Sequence, residues 1–154
     1  MSNLITLHFE KFIACPPAKV YELMLAKDTY QEWTHVFSPG STYKGDWSEG
    51  SKIFFVGEGE NGEQGGMVSR IAKNQPNKFV SIEHLGELKN GKEVLASEAG
   101  MDWAGAHENY TFEEQENGTL LKVDLDSSKD YSEYFDGMWP KALDKLKEIC
   151  ERNG

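Results

Sequence analysis

Cysteine is scarce in this chain: only Cys15 and Cys150 among 154 residues. They stand far apart, in none of the close spacings that mark a zinc site or a redox pair. Both have apolar neighbours and read as small buried hydrophobes, two reduced thiols rather than a disulfide. Long apolar runs are missing too. No window approaches the roughly 18 apolar residues of a membrane-spanning helix. The opening stretch MSNLITLHFEKFIA lacks a basic flank and an apolar core of about 7–15 residues, so it does not read as a secretory signal. A cytoplasmic, monomeric protein is expected. Positive charge is in short supply, with 16 basic residues against 26 acidic ones and a net charge of −10. Such a surface repels phosphate backbones and anionic lipid, which excludes nucleic acid and membranes as partners. The acidity itself reads as solubility.

Catalytic signatures are absent as well. The segment GEGENGEQGG (57–66) has the glycines of a phosphate loop but neither its lysine nor its following hydroxyl, and no helix follows it. Glu58, Glu60 and Glu63 would repel a phosphate, so the segment reads as an acidic turn. The four histidines show no HExxH or HxxxH spacing, and no metal site is expected. Glu83-His84 and His107-Glu108 are neighbours on strands, where adjacent side chains point to opposite faces, so neither is a ready acid–base pair. No serine sits in a G-x-S-x-G elbow. No catalytic residue and no cofactor is assigned on these grounds.

What is present is a pattern of strands and helices. With 38% hydrophobic and 12% aromatic residues the composition is globular. A chain of this length buries about 70% of its unfolded surface, enough for one domain spanning 1–154. Ile5, Leu7, Phe9 and Ile13 alternate as a strand with one buried face, with Lys11 as the exception. Pro16-Pro17 ends it, and Pro17 suits the first turn of a helix carrying Val20, Leu23 and Met24. A second short helix is expected to start at Asp28, capped by its side chain with Gln31 reaching back, and to stop at Pro39-Gly40. Three Asn-Gly pairs (61–62, 90–91 and 117–118) then suit two-residue type I′ turns and make the middle of the chain an antiparallel meander. Its strands are expected at 42–46, 52–56, 67–72, 79–88, 107–114 and 120–125. Residues 92–106 carry no clear signal. Asp130 and Glu133 suggest a capping box for a final helix from Tyr131 to Arg152. Its apolar stripe runs through Phe135, Met138, Trp139, Ala142, Leu143, Leu146, Ile149 and Cys150 at helical spacing. The stripe keeps phase across Pro140, so one kinked helix is expected rather than two.

The order strand, two short helices, meander and long C-terminal helix resembles the helix-grip, START-like fold of the SRPBCC superfamily. The stretches FVSIEHLGELKNG, WAGAHENYTFEEQENGTLLKVDLD and WPKALDKLKEICE are similar to small bacterial SRPBCC proteins. These are grouped with the C-terminal domain of the ATPase activator of the 90-kDa heat-shock chaperone. The resemblance implies an α+β fold: a curved antiparallel sheet of six to seven strands gripping the last helix, with a cavity between them. The cavity candidates are Trp33, Phe54, Met67, Ile82, His84, Tyr110, Phe112, Phe135, Met138 and Trp139, with His84 as the polar contact. Carriage of a small apolar or amphipathic ligand is the expected function. Cyclase-like catalysis in the same cavity, and a co-chaperone-like protein-interaction surface, are the alternatives, because this scaffold serves many chemistries.

Overall fold

A computed structural model describes residues 4–37, 40–58, 64–89, 92–96 and 105–152. Alternation of apolar residues makes the first strand, β1 (Leu4–Ile13). The exceptional Lys11 stays on the helix-covered face and pairs its ammonium with Asp144 of the C-terminal helix. Pro16-Pro17 turns the chain into helix α1 (Pro17–Leu25) with proline in its first turn, followed by α2 (Lys27–Trp33) and a 3-10 turn (Thr34–Val36). Ala26, not Asp28, occupies the N-cap of α2. Asp28 instead lies in the first turn, where its carboxylate accepts the Thr29 N–H at 2.8 Å and favours the positive end of the helix dipole.

The strands that follow are β2 (Thr42–Gly45), β3 (Lys52–Glu58), β4 (Gln64–Gln75), β5 (Phe79–Lys89), β6 (Lys92–Leu95), β7 (His107–Gln115) and β8 (Gly118–Ser128). They form one sheet in the order β1-β8-β7-β5-β4-β3-β2, with β6 paired to β5 beside β7. Every described pairing is antiparallel. The sheet therefore has eight strands, the addition being β6, in the stretch that carried no clear signal. Helix α3 (Ser132–Arg152) runs without interruption through Pro140 and packs on β1, α1 and α2.

Two local expectations are corrected. Asn117-Gly118 does not form the central pair of a turn. Gln115 pairs with Gly118, which leaves Glu116-Asn117 as the connection, and the only described non-glycine residue with positive φ is Asn77, at 67°. Gly118 is needed for close approach instead, because a Cβ there would lie 2.2 Å from the Ile13 carbonyl oxygen. The pairs Asn61-Gly62 and Asn90-Gly91 lie outside the described residues. The capping box is the second correction. Asp130 falls in a 3-10 turn (Lys129–Tyr131) before α3, and Ser132 donates its hydroxyl to the Lys129 carbonyl at 2.9 Å.

Two bulges shape the sheet next to the helix. Ala72 on β4 and Leu85 on β5 are extra residues in the β4–β5 ladder. The bulge at Leu85 restarts the period-2 alternation, so Glu87 continues the inward face of Ile82 and His84. The core fills the space between this face and the helices. It includes Ile13, Val20, Met24, Ile53, Ile71, Val80, Leu121, Leu143, Leu146 and Ile149.

Candidate functional site

One end of the helix–sheet interface is filled, and the other holds a pocket. The pocket has a volume of about 440 Å³, within the size range of small-molecule sites. Its wall is built from four places. The end of α2 and the 3-10 turn after it supply Tyr30, Trp33, Thr34 and Phe37. Phe55 of β3, Met67 of β4, and His84 and Glu87 of β5 form the floor on one side. Glu108 and Tyr110 of β7 and Leu125 to Ser128 of β8 form it on the other. The start of α3, with Phe135 and Trp139, makes the roof, and Tyr131 and Tyr134 flank it.

Aromatic packing holds this wall. Trp139 is buried, and its ring centre lies 5.2 Å from Phe37, 5.9 Å from Trp33, 6.1 Å from Phe9 and 6.3 Å from Tyr110. Such ring pairs stabilise by about 0.5–1.5 kcal/mol each beyond their buried area. The Trp33 indole N–H donates to the Met24 carbonyl at 3.0 Å, which fixes α2 against α1. Tyr131 and Tyr134 are exposed, and the Tyr134 hydroxyl reaches the Phe37 carbonyl at 3.3 Å, linking α3 to the 3-10 turn.

A chain of polar side chains crosses the floor. Ser69 and His84 stand opposite each other in the β4–β5 ladder, and the Ser69 hydroxyl lies 2.8 Å from His84 Nδ1. His84 Nε2 lies 3.2 Å from Glu108 Oε1. The other carboxylate oxygen of Glu108 accepts a short hydrogen bond from the Tyr110 hydroxyl. A carboxylate only accepts, so Nε2 bears a proton, and Ser69 donates to Nδ1 when the ring is neutral. Burial, and next the charge of Glu108, push the Tyr110 hydroxyl well above its ordinary pKa, which keeps it a donor. Burial and Glu108 act on Tyr30 in the same direction. Ser69, His84 and Tyr110 are all buried, with His84 at 8% exposure.

Of the ten cavity candidates, Trp33, Met67, His84, Tyr110, Phe135 and Trp139 line the pocket, and the other four are elsewhere. Phe54 points out of the opposite sheet face, where the Lys52 ammonium sits 5.4 Å from its ring centre. Its neighbour Phe55 takes the inward place, one step along the alternation. Ile82 and Phe112 face inward but are buried in the core beyond the pocket, and Phe112 packs edge-on against Tyr21 at 5.6 Å. Met138 is half-buried on α3, next to the stripe position that Trp139 fills.

Glu108 is the main residue that sequence reasoning passed over. It is the third member of the polar chain, yet its partner His84 is on another strand and 24 positions away. Pairing of Ile82 with Glu108 brings the two together diagonally, and only the strand register reveals that. Glu108 does share a face with Tyr110 by period-2 spacing, which was a usable signal. Glu83, the sequence neighbour of His84, points away and pairs with Arg70 at 2.7 Å. Among the described residues no group of three or more His, Cys, Asp or Glu side chains could hold a metal ion. No described helix is long and apolar enough to cross a membrane.

Residues 14–151 match the protein family described as Activator of Hsp90 ATPase homolog 1-like protein. The chain belongs to that family. Solved structures of similar fold agree with this placement in the SRPBCC, START-like group. An Activator of Hsp90 ATPase homolog 1-like protein from Aeromonas hydrophila superposes with a TM-score of 0.73 at 14% identity, covering 97% of this chain and 94% of that one. A Nitrosomonas europaea protein gives 0.74 at 14% identity over 97% and 96% of the two chains. A Staphylococcus aureus protein of unknown function gives 0.74 at 18% identity over 97% and 95%. Identities this low establish the helix-grip fold and nothing finer. No curated protein matches the sequence. In this family member the pocket lies where the sheet grips the first turns of the C-terminal helix.

Proposed function

We propose that this family member binds a small apolar or amphipathic molecule in the pocket between the sheet and α3, as a monomeric single-domain carrier or sensor in the cytoplasm. One observation carries the reading: a volume of about 440 Å³ walled largely by aromatic side chains, at an interface whose other end is filled. A domain selected only for stability gains from filling such a space, since each missing contact costs dispersion energy. The few polar groups converge on one side of the floor, as in sites that orient an apolar ligand. The two buried free thiols suit a reducing compartment.

A second reading is favoured by the Ser69–His84–Glu108–Tyr110 chain. A hydroxyl, an imidazole and a carboxylate in series can move a proton at the end of an apolar pocket, the arrangement needed for acid–base chemistry on a bound ring or carbonyl compound. The family description names a chaperone activator. Phe12, Leu95, Tyr131 and Tyr134 are the large hydrophobics exposed among the described residues, and the two tyrosines belong to the pocket mouth. The pocket, rather than a separate apolar patch, is therefore the feature on which the reading rests.

The test is native mass spectrometry of protein isolated from its own host, together with titration of the uncharged dye N-phenylnaphthylamine. A co-purifying small molecule, or one saturable dye site lost on blocking the pocket with Ala106→Trp at a buried small residue of its wall, supports the reading. Absence of both overturns it.

A further inference from the structure

We propose that the pocket selects organic cations, molecules with a quaternary or protonated amine on an apolar body. This deepens the ligand-binding reading above and rests on it. The argument begins with the charges that face the space. The carboxylates that face the space are those of Glu87 and Glu108, beside the imidazole of His84, with no lysine or arginine among the described lining residues. No lysine or arginine stands in the stretches outside the described residues either, so none can arrive from there.

The carboxylates are not cancelled by local cations. Glu108 is held by His84 and by the neutral hydroxyl of Tyr110. Asp126 also borders the space, but its carboxylate turns to the other face of the sheet, where it accepts the Thr6 hydroxyl at 2.9 Å and the His107 backbone N–H at 3.0 Å. Only Glu87 has a lysine nearby, Lys89 at 3.4 Å, and that ammonium is 62% exposed, where solvent screens it. The remaining wall adds to the preference. Aromatic faces present the negative side of their quadrupole, and Tyr30, Trp33, Phe55, Tyr110, Phe135 and Trp139 surround the same space. Part of the wall is shielded from water, and charge interactions are stronger there than at the surface. An anionic head group, such as that of a fatty acid, would enter against two carboxylates with no basic side chain among the described lining residues to receive it. A cationic head group would meet carboxylates and ring faces together.

The experiment compares three probes of equal chain length by calorimetry: decyltrimethylammonium, 1-decanol and decanoate, each below its micelle concentration. Each is also tested for displacement of N-phenylnaphthylamine. The expected order is cation, then alcohol, then anion, with the cation about tenfold tighter than the alcohol. Glu108→Gln and Glu87→Gln should each reduce the cation-to-alcohol ratio. Equal binding of cation and alcohol, or a preference for decanoate, overturns the charge selectivity and leaves the apolar pocket standing. Charge selectivity in the pocket is equally overturned if both variants keep the wild-type ratio, since the cation would then be reading the acidic surface. If neither the alcohol nor the dye binds at all, the ligand-binding reading falls, and this inference falls with it.

Discussion

The two halves of α3 carry the same apolar stripe and meet very different surroundings. From Ala142 to Cys150 the stripe is buried against β1, α1 and α2, and the end is pinned by polar contacts. Cys15 donates its thiol to the Cys150 carbonyl at 3.1 Å, Glu151 accepts the Ala14 N–H at 3.0 Å, and Arg152 makes two bonds of 3.1 Å to Glu32. From Ser132 to Trp139 the same face roofs the pocket, and Phe135 is only half-buried. Val20, Met24 and Leu25 of α1 belong to the core against the closed half, and no α1 residue is among the pocket's described lining. A helical stripe therefore says that a face is apolar, while the opposing element decides whether that face becomes core or cavity.

The comparison breaks most plainly with a truncation at the closed end. Leu146 is fully buried there, and Leu146→Ala should cost about 2–5 kcal/mol, read as a drop in the urea midpoint. The folded fraction should bind N-phenylnaphthylamine as the wild type does. A loss of dye binding in that folded fraction would mean that the two halves are one packing unit.

Polar bonds at the two ends should differ as well. Tyr110→Phe removes the hydroxyl that Glu108 accepts, and a hydrogen bond to a charged group contributes about 1.5–3 kcal/mol. At the closed end, Thr119 donates to the Cys15 carbonyl at 2.7 Å, a neutral bond, and Thr119→Val should cost about 1 kcal/mol. Equal losses in the two denaturation curves would show that water in the pocket satisfies Glu108 without Tyr110.

The closed end should also announce itself in alkali. Burial, with the neighbouring Cys15 and Glu151 next, pushes the Cys150 thiol from 9.0 up to about 12. A raised folded-state pKa means that the folded protein holds the proton longer than the unfolded chain. The stabilisation is complete below about pH 9 and is lost as pH rises toward 12. Wild type should therefore lose about 1.4 kcal/mol per pH unit more than Cys150→Ala over that range. Parallel stability curves for the two proteins would show that the thiol is wet.

Much of this architecture is legible in the amino-acid order alone. Alternation located β1, Pro17 located α1, and the phase of the stripe carried α3 correctly through Pro140. These are local signals, each set by neighbours within a turn or two of the chain. What escaped depends on register. Phe54 and Phe55 are both apolar, and only the pairing of β3 with β4 tells which one faces inward. The bulge at Leu85 reverses the expected facing of every later residue in β5, which hid Glu87. Gly118 had the chemistry of a turn and the task of letting Ile13 come close. The pairing of His84 with Glu108 needed β5 and β7 to be aligned first.

The smallest expected effect on stability is the sharpest test of the open end. Phe135 lies on the stripe three and four residues before Met138 and Trp139, yet one side of its ring faces the pocket. Truncating it extends a space that already exists instead of creating a closed void, and the cavity term in its cost is correspondingly small. Phe135→Ala should lower stability by less than about 1 kcal/mol, well below the cost of Leu146→Ala. Binding should respond the other way. Losing a ring from the wall removes about 1–2 kcal/mol of apolar contact with an occupant, which weakens N-phenylnaphthylamine binding about 5- to 30-fold. Denaturation and dye titration on the same preparation give both numbers. A large loss of stability with unchanged dye affinity would make Phe135 a core residue and the roof of the pocket merely loose packing. The predicted pair of results, little stability lost and much affinity lost, is one that a filled interface cannot produce.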